Sequence, residues 1–180
     1  MSKPEIETTD TTVVYSNRWM TVREDTIVRA DGSPGIYGVV EKQDFAVVAA
    51  VREQSIFLVE QHRYPIGKRF WELPQGSSED VNVDPVTLAH AELQEETGLI
   101  AGSMLHVGHL YEAYGYSSQG YDVFLATDLR QGENKLDPEE QGLVCREFSV
   151  RAVESMILDG TLKDGTTVAA FGLLRLKGLL

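Results

Sequence analysis

Asp84-Pro85 and Gly98 bracket the stretch of this 180-residue chain whose local structure has the least freedom to vary. Asp84 is a strong N-cap, Pro85 has the fixed φ favoured at the first helical position, and Gly98 supplies a left-handed stop. Together they predict a helix over Pro85 to Thr97. Inside it Glu92, Glu95 and Glu96 stand at i, i+3 and i+4, one face of the last two turns, beside an apolar strip of Val86, Ala89 and Leu93. Like charges at that spacing cost about 0.2 to 0.5 kcal/mol per pair. They also lie at the carbonyl end of the helix, where the dipole favours cations. No basic residue stands within four positions of the triplet, so the compensating charge has to come from outside the helix. A hard divalent cation, Mg²⁺ or Mn²⁺, takes carboxylate oxygens and completes its shell with waters and substrate phosphates. The plainer alternative for three clustered glutamates is a solvated acidic face.

The acidity is local. Lys and Arg number 16 against 28 Asp and Glu, a net charge of -12, which argues against a nucleic-acid partner or an anionic membrane surface. From Phe70 to Leu129 there is no Lys or Arg, while Glu72, Glu79, Asp80, Asp84, Glu92, Glu95, Glu96, Glu112, Asp122 and Asp128 all fall there. Arg63, Lys68 and Arg69 sit just upstream, so cations border an acidic middle, a pairing suited to a metal and a phosphorylated ligand. A single cysteine, Cys145, excludes an intramolecular disulfide. No segment pairs a basic start with an apolar signal core, and no apolar run reaches the roughly 20 residues of a membrane span. The expectation is a soluble, cytoplasmic protein with Cys145 as packing.

Residues 1 to 10 show no pattern and read as a frayed end or an arm. Short β-rich pieces at Thr12 to Tyr15, Met20 to Arg29 and Ile36 to Glu41 are separated by turn residues, including Asp31-Gly32-Ser33-Pro34-Gly35. Phe45 to Val51 and Ile56 to Gln61 read as a buried hairpin, followed by a short strand at Phe70 to Leu73. Beyond the central helix, strands are expected at Met104 to Tyr111, Tyr121 to Thr127 and Leu143 to Phe148. Helices near Val150 to Leu158 and after Asp164-Gly165 close the chain. The fold class is therefore α/β, with a mixed sheet held between helices. The expected division is an N-terminal β-rich segment over 1–42 and a main domain over 43–180.

Leu73-Pro74-Gln75-Gly76, Asp84-Pro85 and Ala91-Glu92-Leu93-Gln94-Glu95-Glu96-Thr97-Gly98-Leu99 together resemble the box of the Nudix hydrolase family. That pattern runs Gly, five residues, Glu, seven residues, then Arg-Glu-aliphatic-x-Glu-Glu-x-Gly-aliphatic. Gln61-His62-Arg63-Tyr64-Pro65 and Trp71-Glu72-Leu73-Pro74 resemble the approach to the box in ADP-ribose pyrophosphatase-like members. The chain departs from the pattern at three points. Ala91 stands in place of the box Arg, and Gly76 precedes Glu92 by 16 positions where the pattern has 15. The first box Glu falls on Asn82 or Val83.

The resemblance implies a Nudix α/β/α sandwich with a divalent metal, Mg²⁺ or Mn²⁺. It also implies hydrolysis of the pyrophosphate of a nucleoside diphosphate derivative, ADP-ribose or another nucleotide sugar, to a nucleoside monophosphate and a sugar phosphate. A homodimer that exchanges N-terminal strands follows from the same source. Glu92 and Glu96 are the implied metal ligands, with Glu95 an adjacent ligand or hydrogen-bonding partner and the Gln75 carbonyl completing the site. Glu139, with Glu140 second, is the implied general base. Arg63 and Glu72 are the implied substrate contacts; surface ion pairing is the alternative for Arg63. With Ala91 and the absent box Glu, a catalytically weak nucleotide-binding module is the alternative function. If the glutamates bind a cation, millimolar Mg²⁺ raises the melting temperature of the protein; a merely acidic surface leaves it unchanged.

Overall fold

The computed structural model describes residues 4–78, 80, 82–133 and 142–180. They gather into two compact units, Met1–Asp44 with Tyr111–Gly120, and Phe45–Leu110 with Tyr121–Leu180.

The first unit is an antiparallel meander of β1 (Ile6–Ser16), β2 (Thr21–Arg29) and β3 (Pro34–Glu41). Its turns follow from local chemistry. Asn17 Oδ1 accepts from the Trp19 and Met20 amides at 2.9 Å each, and Gly32 takes φ 87° beside Asp31, whose carboxylate accepts from Ser33 N. The expectation of a frayed end or arm is corrected over Ile6 to Asp10, which belongs to β1 and registers with Arg29 through Thr26 of β2. Every residue of β1 is exposed, so no face selects apolar residues and the backbone ladder alone defines the strand. Within β2, Asp25 and Ile27 are buried. Asp25 bonds Arg23, which also reaches Glu41, and accepts from Thr11 Oγ1 at 2.8 Å.

The second unit holds β4 (Phe45–Arg52), β5 (Ser55–Arg63), β6 (Lys68–Glu72), β7 (Gln75–Gly76), β8 (Leu99–Tyr111), β9 (Gly120–Gln131) and β10 (Val144–Ser149). Among the described residues the α-helices that accompany them are α1 (Pro85–Thr97), α2 (Val150–Leu158) and α3 (Gly165–Leu176). The sheet order is β10-β5-β4-β9-β8, with β4 and β9 parallel and β4 and β5 antiparallel, so the sheet is mixed as expected. Ala46 to Ala50 are all 0% exposed, the continuous apolar run of a strand covered on both faces. Val47 and Ala49 point into a core built with Val153 of α2 and Ala170, Phe171 and Leu174 of α3. Ala46, Val48 and Ala50 point the other way, onto Leu88, Ala89 and Leu93 of α1. Helices on both faces make the α/β/α sandwich.

One irregularity of this sheet determines where its polar side chains meet. β4 and β5 pair only at Val51↔Ile56 and Arg52↔Ser55, next to their turn, and then part. Into the split run β6, which pairs with β5 from Arg63↔Lys68 to Val59↔Glu72, and β7, which pairs with β4 at Ala46↔Gly76 and Val47↔Gln75. Val48 N donates to Pro74 O at 2.9 Å, so the link between β6 and β7 is also bonded in. Glu72, Gln75 and Gly76 are thus carried into the middle of the sheet, under α1.

Hydrogen bonds from Arg23 and then Thr11 hold the Asp25 carboxyl below its ordinary pKa. The bonds therefore stabilise the meander fully above the unfolded carboxyl pKa of about 3.9, and that contribution is lost as pH falls through the lower folded value. Amide exchange in β2 should be faster in Asp25→Asn than in wild type near neutral pH, and the two should converge as pH falls through the lowered folded value.

Candidate functional site

The carboxylates of α1 are not a solvated face. Glu92 is 8% and Glu96 1% exposed, while Glu95 is half-buried. The helix has the predicted bounds and caps: Asp84 Oδ2 accepts from Thr87 N at 3.0 Å, and Gly98 takes φ 70° with its N–H on Gln94 O. The apolar strip differs by one residue from expectation, because Val86, in the first turn, is 39% exposed and Leu88 takes the core position beside Ala89 and Leu93. Glu92 and Glu96, four residues apart, therefore share the buried side of the helix with that strip.

Their carboxylates meet the segment inserted between β5 and β4. The Gln75 amide donates to Glu96 Oε2 at 2.9 Å, and Gln61 Nε2 lies 3.5 Å from Glu96 Oε1. The same Gln61 nitrogen donates to Glu72 Oε1 at 2.8 Å, so one side chain bridges two buried carboxylates. Gly76 lies under Glu92: a Cβ built there would fall 2.6 Å from the Glu92 Cδ. Only glycine admits that approach. On the far side, Gln75 Nε2 donates to Asp164 Oδ2 at 3.2 Å, and Leu73 N donates to Thr167 Oγ1 at 2.8 Å.

Arg63 and Glu72 form a two-toothed ion pair, with Nε donating to Oε2 at 3.0 Å and Nη2 to Oε1. Strand alternation puts Glu72 opposite Trp71 and Leu73: those two pack in the α2/α3 core while Glu72, 1% exposed, faces α1. Burial raises the Glu72 carboxyl above its ordinary pKa despite the opposing pull of Arg63. Burial also works against the charge on Arg63, but Glu72 beside it outweighs that and holds the guanidinium above its ordinary value. Hydrogen bonds through Gln61 and Gln75 join Arg63, Glu72, Glu96 and Asp164 in one network.

In kind, these donors fit a hard cation: carboxylate oxygens and backbone, close to a glycine that leaves room for the Glu92 carboxylate. Among the described residues no three His, Cys, Asp or Glu already converge as a metal-holding group. Glu92, Glu95 and Glu96 each have further interactions within the protein. Asn82 is exposed, with its amide on Asp80, and Val83 packs on the α1 core, so neither position of the missing box Glu supplies a carboxylate. Glu139 and Glu140 lie outside the described residues.

Sequence reasoning overlooked Gln61, Asp164 and Thr167, because their partners lie far along the chain. His106 Nε2 and His109 Nδ1 both contact Asp122 Oδ1, at 2.7 and 3.3 Å, another cluster made by residues distant in sequence. Tyr121 is core, stacked on Phe45 at 5.0 Å, while Trp19, Tyr114 and Tyr116 are exposed. Cys145 packs beside the α1 core, and burial pushes its thiol up to about 11, which leaves it protonated and poorly nucleophilic near neutral pH.

A family model described as the NUDIX domain matches residues 38–171, and another, described as the nucleoside diphosphate sugar hydrolase N-terminal domain, matches residues 6–40. The chain is 27% identical to an ADP-ribose pyrophosphatase of Mycobacterium tuberculosis (strain ATCC 25618 / H37Rv) over 171 residues, 94% of this chain and 83% of that protein. It is 30% identical to an ADP-ribose pyrophosphatase of Bacillus subtilis (strain 168) over 136 residues, 75% of this chain and 73% of the relative. A methanol dehydrogenase activator of Bacillus methanolicus is 28% identical over 98% of this chain and 96% of its own. A crystal structure described as an ADP compounds hydrolase superposes over all of both chains with a TM-score of 0.86 at 17% identity, a likeness of fold.

Gly76→Ala should force the Glu92 carboxylate aside and destabilise the protein by about 1 to 3 kcal/mol, as overpacking does. Adding Glu92→Ala to Gly76→Ala should recover part of that loss. A double-mutant cycle in urea checks it, and strict additivity would deny the close approach.

Proposed function

The chain belongs to the Nudix hydrolase family, and from that premise we propose that it hydrolyses the pyrophosphate of ADP-ribose or another nucleotide sugar, releasing a nucleoside monophosphate and a sugar phosphate. Nudix hydrolases generally use divalent metals, and Mg²⁺ or Mn²⁺ is the ion proposed here. The observation that carries the reading is the burial of Glu92 and Glu96 against the Gln75-Gly76 peptide. Glu92 and Glu96 are the proposed ligands, with the Gln75 carbonyl and, as a ligand or hydrogen-bonding partner, Glu95. When bound, such an ion neutralises phosphate oxygens and polarises the attacking water.

The protein's own groups supply the rest. Gln61 and the Gln75 amide hold Glu96 from two sides, a tether supplied by the strands where the family's box Arg is replaced by Ala91. The Arg63 side chain is 40% exposed while its partner Glu72 is 2% exposed, so Glu72 aims the guanidinium and the exposed portion meets a phosphate. Glu139, with Glu140 second, is the proposed base that takes the proton from water. In the proposed setting the enzyme works in the cytoplasm, without nucleic-acid or membrane partners. The net charge of -12 supports this, and no helix among the described residues is long and apolar enough to cross a membrane.

A homodimer is part of the same proposal. Val13, Val14, Tyr15, Trp19 and Ile36 of the meander are each more than half exposed, an apolar surface that suits burial by a second copy of the chain. In sedimentation the protein should run at twice its 20.0 kDa mass, and a monomer at working concentration would exclude a shared site.

With Mg²⁺ present, ADP-ribose, nucleotide sugars, dinucleoside polyphosphates and nucleoside triphosphates should be compared for release of nucleoside monophosphate. Turnover should be confined to diphosphate compounds and fall by at least about 100-fold in Glu96→Gln. Ligand-dependent stabilisation without product from any of them would replace the hydrolase with the binding module that Ala91 makes the second reading.

A further inference from the structure

Resting on the hydrolase reading, we propose that Asp164 and Thr167, in and just before the first turn of α3, are positioning residues that fix the metal-holding geometry of Glu96 and Glu92 through the Leu73–Gly76 segment. Asp164 is the N-cap of α3, and Thr167 N donates to its Oδ2 at 2.8 Å, which alone would satisfy an ordinary cap. Two further contacts exceed that need. Gln75 Nε2 reaches the same carboxylate oxygen, and the Thr167 hydroxyl, donating to Asp164 Oδ2 at 2.6 Å, accepts from Leu73 N at 2.8 Å.

Thr167 is 0% exposed, and a hydroxyl there costs stability unless it is bonded on both sides, as it is. These contacts pin the segment at Leu73 and at Gln75. Between and beyond those pins lie the groups that meet α1: the Gln75 amide on Glu96 Oε2 and Gly76 under Glu92. The negative charge of Asp164 is also felt at Arg63 and Glu72, which places it beside the site electrostatically as well. α3 therefore clamps the segment from the opposite face of the sheet to α1. Without the clamp, the segment keeps its short ladder to β4 at Ala46 and Val47 and the Val48 to Pro74 bond, and the buried carboxylates face a mobile peptide.

Thr167→Val removes the hydroxyl at nearly constant volume, and Gln75→Met removes the strap to Asp164 while leaving the Gln75 amide. Val153→Ala, which opens the same core from α2, serves as a control for general loss of stability. In metal-free protein, Gln75 amide exchange should quicken about tenfold or more in Thr167→Val and not in Val153→Ala. Free Mn²⁺ followed by electron paramagnetic resonance should show about tenfold weaker binding in Thr167→Val and Gln75→Met. For the hydrolysed substrate, kcat should fall about tenfold with KM within about twofold. Thr167→Ser should restore all three. Equal effects in Thr167→Val and Val153→Ala, or an unaltered Gln75 amide, would overturn the positioning role. If wild type neither binds Mn²⁺ nor turns over substrate, the hydrolase reading fails, while the amide exchange still decides whether the clamp exists.

Discussion

Glu96 is a carboxylate enclosed between a helix and a sheet, and an ion in that setting has to be met by donors or protonated. The Gln75 amide is one such donor, 2.9 Å from Oε2, and it belongs to the backbone rather than to a side chain. Its presence at that point requires β5 to leave β4 after two paired residues and the Lys68–Gly76 stretch to occupy the opening. A continuous β4–β5 ladder would fill the same space with backbone pairs and leave no amide facing α1. The split in the sheet and the buried glutamate thus depend on each other.

From that coupling comes the charge arrangement. Glu72 arrives through β6, Gln61 and Arg63 through β5, and Glu92 and Glu96 through α1, so a consecutive strand pair and a helix further along the chain share one buried volume. Arg63 answers Glu72 with a planar fork, the geometry in which a carboxylate is best satisfied. The oxygens gathered there are of the kind a hard cation takes, and Nudix hydrolases generally use divalent metals.

Which parts of this were legible beforehand follows from the range of each interaction. The ends of α1 were readable because capping is decided within four residues, and Glu72 because alternation along a strand is decided within two. Glu92 and Glu96 were legible as a pair, but their burial was not, since a solvated acidic face has the same spacing. β1 escaped notice over Ile6 to Asp10 because an uncovered strand has no reason to alternate. Gln61, Asp164 and Thr167 left no local signature: their partners stand 35, 89 and 94 positions away, and a glutamine or threonine in sequence says nothing of what it will meet.

The extra residue between Gly76 and Glu92 acquires meaning from the same geometry. Gly76 is fixed by β7, and the start of α1 is fixed independently by Asp84 and Pro85, so the extra residue falls between two anchored ends. Lengthening a connection by one residue costs little entropy. An insertion inside α1 would be another matter, because each added residue rotates everything beyond it by about 100° and would carry Glu92 and Glu96 off the peptide they face. A change of length between Gly76 and Asp84 therefore leaves Glu92 and Glu96 facing their peptide, whereas one between Asp84 and Gly98 does not: the helix serves as the ruler.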